Sequence, residues 1–187
     1  MRGWRRKCLI DISSDAGVYM SRLSYSLVVI LTLFVGLGGF NKAKASSLCL
    51  GDEVIQFSFK VTDAEKFVSL CEGRNQGYLV YRLGVPGDIE EQYPEQLNSE
   101  SWRGFSFSGY SRGGGVANDA MGDYSLSFNR RGVSYTVFQG WRLVEGRYEI
   151  GVVIGSGGTR RLLSGAKEEQ VGSLVRLDGK AMLKNRW

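Results

Sequence analysis

From Trp102 to Trp141 the chain alternates apolar and polar residues over short runs, and that period of two narrows its fold more than any other feature. Tyr124, Leu126 and Phe128 are apolar, with Asp123, Ser125, Ser127 and Asn129 between them. Successive side chains on a strand point to opposite faces, so this is a strand with one buried face and one wet face. Val133, Tyr135 and Val137 repeat the pattern after Asn129-Arg130-Arg131-Gly132, a hairpin loop in which Gly132 is free to take positive φ. Upstream, Phe105 and Phe107 alternate with Gly104, Ser106 and Ser108. A helix would need apolar residues three and four apart, and that spacing is missing. The stretch is a β-meander.

The same period runs through the flanks. Ile55, Phe57, Phe59 and Val61 alternate with Gln56, Ser58 and Lys60, and Thr62 to Glu65 turns the chain into a second strand, Lys66 to Cys71. Gly77 to Leu83 is apolar on both faces apart from Arg82, which marks a central strand. Beyond Trp141, Tyr148, Ile150, Val152 and Ile154 alternate with Arg147, Glu149, Gly151 and Val153. Gly155 to Gly158 is a turn into Thr159 to Leu163. Ala166 to Val175 has room for one short helix, weakened by Gly172, and Asp178-Gly179 is a hairpin signal between Val175–Leu177 and Lys180–Leu183. The expected fold is all-β, an antiparallel sandwich or small barrel of about eight short strands.

Residues 1–45 stand apart from that pattern. Leu27 to Phe40 is an apolar run of about 14 residues, short of the ~20 that span a bilayer. Arg22 precedes it, and Ala43-Lys44-Ala45 has the small-x-small pattern of a signal-peptidase site. Residues 1–45 are therefore expected to be a cleaved leader, with Met20 a more ordinary start for it, and an anchor that is never cleaved is the competing reading. Residues 46–187 are then a single exported domain, periplasmic or secreted, without a membrane span.

Removing the leader removes the positive charge. The whole chain carries 24 Lys+Arg and 19 Asp+Glu, and residues 46–187 keep 17 of each. A nucleic-acid binder shows a basic footprint in its folded domain, so nucleic acid is not expected as a partner. Outside the leader only Cys49 and Cys71 remain, an even pair in an oxidising compartment. The competing metal or redox pair would want a CxxC spacing or histidine, and the chain has no histidine. A Cys49–Cys71 disulfide is the expectation, with no metal and no cofactor.

Gly84 to Ser101 has no periodic pattern, holds both prolines, and carries Asp88, Glu90, Glu91, Glu95 and Glu100. A long loop in a compact domain is often functional, although an acidic loop is also simply soluble. Tyr93 and Trp102 bracket it, either as contact aromatics or as pins to the core. Glu90, Glu91, Tyr93, Glu95 and Trp102, with Tyr110 and Arg112 on the next strand, are the candidate interface. Arg112-Gly113-Gly114-Gly115 is either an anion nest or a flexible link between two strands. Asn118, Asp119 and Asp123 could bind calcium, but match no recognised loop spacing.

Several motifs carry a resemblance: Cys49-x-x-x-Glu53-Val54, Phe67 to Cys71, Tyr78 to Glu90 with Tyr93-Pro94, Gly109 to Gly115, and Tyr135 to Phe138. Together the pattern resembles a group of small exported bacterial hypothetical proteins. Members often carry further cysteines near the first strand and at the C-terminus. Phe59 and the terminal Lys184-Asn185-Arg186-Trp187 depart from that, so no second disulfide is expected. The resemblance implies export and a β-rich fold, and no activity.

Without histidine, a Ser-His or Cys-His catalytic system is impossible. A hydrolase would have to use carboxylates, Glu90, Glu91 and Glu95 or Asp119 and Asp123 facing one cleft. The expected function is non-catalytic binding of another protein in the envelope, as an inhibitor or immunity protein meeting a basic partner through the acidic stretch. A small-ligand carrier or structural protein is the alternative, and the hydrolase comes last.

Overall fold

The computed structural model describes residues 47–116 and 118–185. The expected leader, its cleavage point after Ala45 and Met20 lie outside the described residues. Ten strands follow one another: β1 (Val54–Val61), β2 (Phe67–Glu72), β3 (Leu79–Val85), β4 (Asp88–Tyr93), β5 (Ser106–Arg112), β6 (Met121–Arg130), β7 (Val133–Arg142), β8 (Arg147–Ser156), β9 (Thr159–Gly172) and the two-residue β10 (Lys184–Asn185). They join in one sheet in the order β10-β5-β6-β7-β8-β9-β1-β2-β3-β4. Every pairing is antiparallel except that of β10 with β5. The nine longer strands form a curled half-barrel, so the expected all-β antiparallel fold is the one found. Among the described residues no helix is long and apolar enough to cross a membrane.

The curl is made by β9. Its first part, from Thr159 to Ser164, pairs with β8, and its second, from Gly165 to Gly172, pairs with β1. A strand that changes partner bends the sheet, and the register shift between Ser58 and Lys60 adds the extra twist of a bulge. Gly165 stands at the change of partner, where a Cβ would lie 2.5 Å from the Phe59 ring and 2.7 Å from Ile150. No side chain fits there. The β6–β7 hairpin turns on Arg131 (φ 52°) and Gly132 (φ 81°), the double positive φ whose twist matches the flanking strands.

The curl brings the end of the sheet at β4 over β6 and β7. Tyr93 stacks on Phe128 at 4.4 Å, and Phe128 on Tyr135 at 4.8 Å. Around this column Phe57, Phe59, Leu70, Tyr81, Phe105 and Leu126 are fully buried, so the interior is filled with side chains. The meander also pairs aromatics with glycines across strands: Tyr124 with Gly109, Trp141 with Gly122, and Phe138 with Gly151. At Gly122 an added Cβ would meet the Trp141 ring at 2.2 Å, so each ring lies over bare backbone.

Three expectations are corrected. Gly84 to Ser101 is not one loop: Pro86-Gly87 turns the chain, and Asp88–Tyr93 is the edge strand β4. The period was hidden because the inward Glu91 falls where an apolar residue was awaited, and acids are what protect an exposed edge. The C-terminal helix is not at 166–175, where β9 continues to Gly172, but is a 3-10 turn at Leu174–Leu177 capped by Ser173. No hairpin forms about Asp178-Gly179 either. Leu174 and Leu177, three apart, are both fully buried, and that spacing suits the 3-10 period rather than a strand.

Candidate functional site

The acidic candidates spend their charge within the protein. Glu90 pairs with Lys66 at 2.6 Å, Glu95 with Arg131 at 2.9 Å, and Glu100 with Arg103 at 2.5 Å. Glu90 and Glu91 are consecutive on β4 and point to opposite faces, so they do not converge on one cleft. Glu91 turns inward with one carboxylate oxygen buried and without a hydrogen-bond partner, as are the Tyr81 hydroxyl and the Arg130 Nε. Burial and the Glu91 carboxylate push the pKa of Tyr135 up, and burial does the same to Tyr81. Tyr93 stacks in the core. Trp102 is fully buried, its indole N–H donating 2.9 Å to the Gln76 carbonyl. Of the two roles open to it, Trp102 takes that of a pin.

Tyr110 and Arg112 sit elsewhere, on the far part of β5, beside a feature the sequence reading missed. The β5–β6 loop and the β7–β8 turn are neighbours, joined by the Leu143 amide donating to the Ala120 carbonyl at 3.0 Å and the Val144 amide to Asp119 Oδ1 at 3.0 Å. Arg112 Nε donates to the Asp119 carbonyl at 2.9 Å. On this tied frame Val116 is fully exposed, Leu143 is 71% exposed and Val144 is 82% exposed, with Tyr110 half out at 55%. One signal could have found it. Leu143-Val144 puts two adjacent apolar residues in a polar turn, where the strand alternation has already ended at Trp141 and Arg142.

The other small motifs of this region are structural. Asp119 supports the Val144 amide, and Asp123 holds Arg142 through 2.7 and 3.2 Å contacts, so the two carboxylates do not meet around a cation. Gly113, Gly114 and Gly115 take none of the left-handed conformations of an anion nest. Gly115 instead bridges to Asn118 to close the loop.

A second tied region precedes β1. Cys49 and Cys71 form a disulfide with Cα atoms 5.5 Å apart, as expected from their pairing. The bonded pair is no metal site, although Glu53 lies close to both sulfurs. Residues 47–53 thereby cover the outer face of β1–β3, and Glu53 reaches down to Arg82, the two side chains 3% and 1% exposed. Arg82 donates to both Glu53 oxygens, at 2.5 and 2.9 Å, and also to Gln92 Oε1 and the Leu48 carbonyl. Tyr78 and the Leu50 amide complete the carboxylate's shell. Burial alone would raise the Glu53 pKa. The Arg82, Leu50 and Tyr78 hydrogen bonds outweigh it, and the carboxyl titrates below its ordinary value.

No family model, curated protein or solved structure matches the chain.

Proposed function

We propose that this chain is an exported, non-catalytic binding protein of the bacterial envelope, held in the periplasm or outside the cell, that grips another protein with the tip formed by Val116, Leu143 and Val144. An inhibitor or immunity protein is the form that fits. One observation carries it: Leu143 and Val144, both largely exposed, stand side by side on a turn that hydrogen bonds tie to the β5–β6 loop, the loop that carries the exposed Val116. Clustered exposed apolar residues mark interaction surfaces. A tip already ordered before contact loses little conformational freedom on binding, which leaves more of the burial energy as affinity. The acidic stretch is the weaker candidate, since Glu90, Glu95 and Glu100 already have partners. The packed interior speaks for this reading over a small-ligand carrier.

The test is capture from an envelope extract with the oxidised protein, run beside the Leu143→Ser/Val144→Ser variant. A stoichiometric protein that the first retains and the second loses, at equal melting temperature, supports the tip. A partner held equally by both would place the interface elsewhere.

A further inference from the structure

A groove of about 430 Å³ lies on the outer face of β5–β7, against the 3-10 turn of Ser99–Gly104. Ser106, Ser127 and Thr136 stand in one cross-strand row, and Asn129 and Ser134 in the next. Arg103 closes one end. Neighbouring strands are ~4.8 Å apart, and like-facing residues along a strand ~6.8 Å apart. The wall is thus a grid of hydroxyl and amide groups on a rigid ladder.

The lining excludes most ligand classes. It holds no carboxylate, cysteine or histidine, so it offers no metal the ligands it would need. Its one cation, Arg103, is already paired with Glu100, so a polyanion finds little charge to meet. Phe128 and Tyr135 contribute backbone here, because their side chains are buried in the core on the other face, so an apolar molecule finds no surface to cover. Groups that both donate and accept remain. Ser127 and Thr136 hydroxyls lie 3.2 Å apart and keep free lone pairs, and Asn129 uses its carbonyl on the Gly132 amide, leaving its NH₂ to donate outward.

We infer that this groove binds a short neutral carbohydrate, one or two sugar rings laid across β5–β7. A sugar presents hydroxyls that donate and accept in the same plane, which is what a Ser/Thr/Asn grid can match. The groove is open to solvent, so binding is weak and exchange is fast. This site is independent of the apolar tip, which lies beyond the other end of the β6–β7 ladder.

The experiment is an NMR titration of the oxidised, isotope-labelled protein with cellobiose and, separately, N,N′-diacetylchitobiose. Saturable shifts are expected at the amides of Ser106, Ser127, Asn129, Ser134 and Thr136, with a Kd of about 1–10 mM for at least one sugar. Ser127→Ala/Thr136→Val, two exposed-face changes that leave the core untouched, should weaken that binding about tenfold. The absence of saturable shifts in the groove up to ~50 mM of either sugar overturns the proposal. So does binding that maps elsewhere, or that the double variant leaves unchanged.

Discussion

β1–β3 and β6–β8 stand on the same core with the same alternation, yet their outer faces are opposite in kind. Over β1–β3, residues 47–53 form a roof, and Ser58, Ser69 and Arg82 are as buried as Phe57 and Leu70. Over β6–β8, Ser125, Ser127, Asn129 and Thr136 remain at least partly open to water. Each region even carries a two-contact arginine–carboxylate pair: Arg82 with Glu53 under the roof, Arg142 with Asp123 outside. The difference shows what a roof demands. Water satisfies a polar group on the open face, whereas under the roof each charge must bring its own partner, and losing one leaves the other stranded.

The largest expected effect breaks that comparison at its centre. Arg82→Ala strands a buried carboxylate and should cost about 3–5 kcal/mol, whereas Arg142→Ala should leave the urea midpoint almost where it was. Equal losses for the two variants would mean that the roof does not exclude water. Opening the disulfide comes next. Cys49→Ser/Cys71→Ser frees a loop of about 22 residues and should cost about 3 kcal/mol by the chain-entropy estimate. If the disulfide also holds the roof in place, Arg82→Ala costs less in that background than alone.

Acid sharpens the same contrast without a cut. Because the folded Glu53 carboxyl titrates below its ordinary 4.5, the folded protein binds fewer protons than the unfolded chain in that range. Its contribution is complete above the unfolded value and is lost as the pH falls through the folded one. Glu53→Gln should therefore be less stable at neutral pH yet lose less between about pH 5 and pH 3, followed by urea titrations at each pH. A parallel acid slope in wild type and variant would take Glu53 out of the account.

How much of this could be seen beforehand depended on the face. The meander was legible because an open outer face keeps the period of two visible, as at Tyr124, Leu126 and Phe128. The roofed strands showed the same period from Ile55 to Val61 but not their cover, since Ser58 reads as a wet-face residue until Glu53 and Leu48 are known to lie over this face. β4 stayed hidden because its inward Glu91 reads as polar. The disulfide could be expected from two cysteines and a hairpin, but the Glu53–Arg82 pair could not, because 29 residues and a covering segment separate the partners. The tip was missed for the reverse reason. Leu143 and Val144 are an apolar pair just past the end of the alternation, and only the fold shows that nothing covers them.

The smallest effect probes the open face itself. Phe138 lies over Gly151 of the neighbouring strand, where an added Cβ would meet its ring at 2.9 Å. On a face bathed in water this cross-strand contact is worth about 0.2–1 kcal/mol, so Phe138→Ala should lower stability by no more than that. A loss above ~2 kcal/mol would be of the size of a core cavity, and would mean that the outer face of β6–β8 is covered in solution. Repeating the unfolding at several protein concentrations then decides what covers it. A loss that shrinks on dilution assigns the cover to a second copy of the chain. A loss independent of concentration assigns it to the chain's own residues and makes the two outer faces alike.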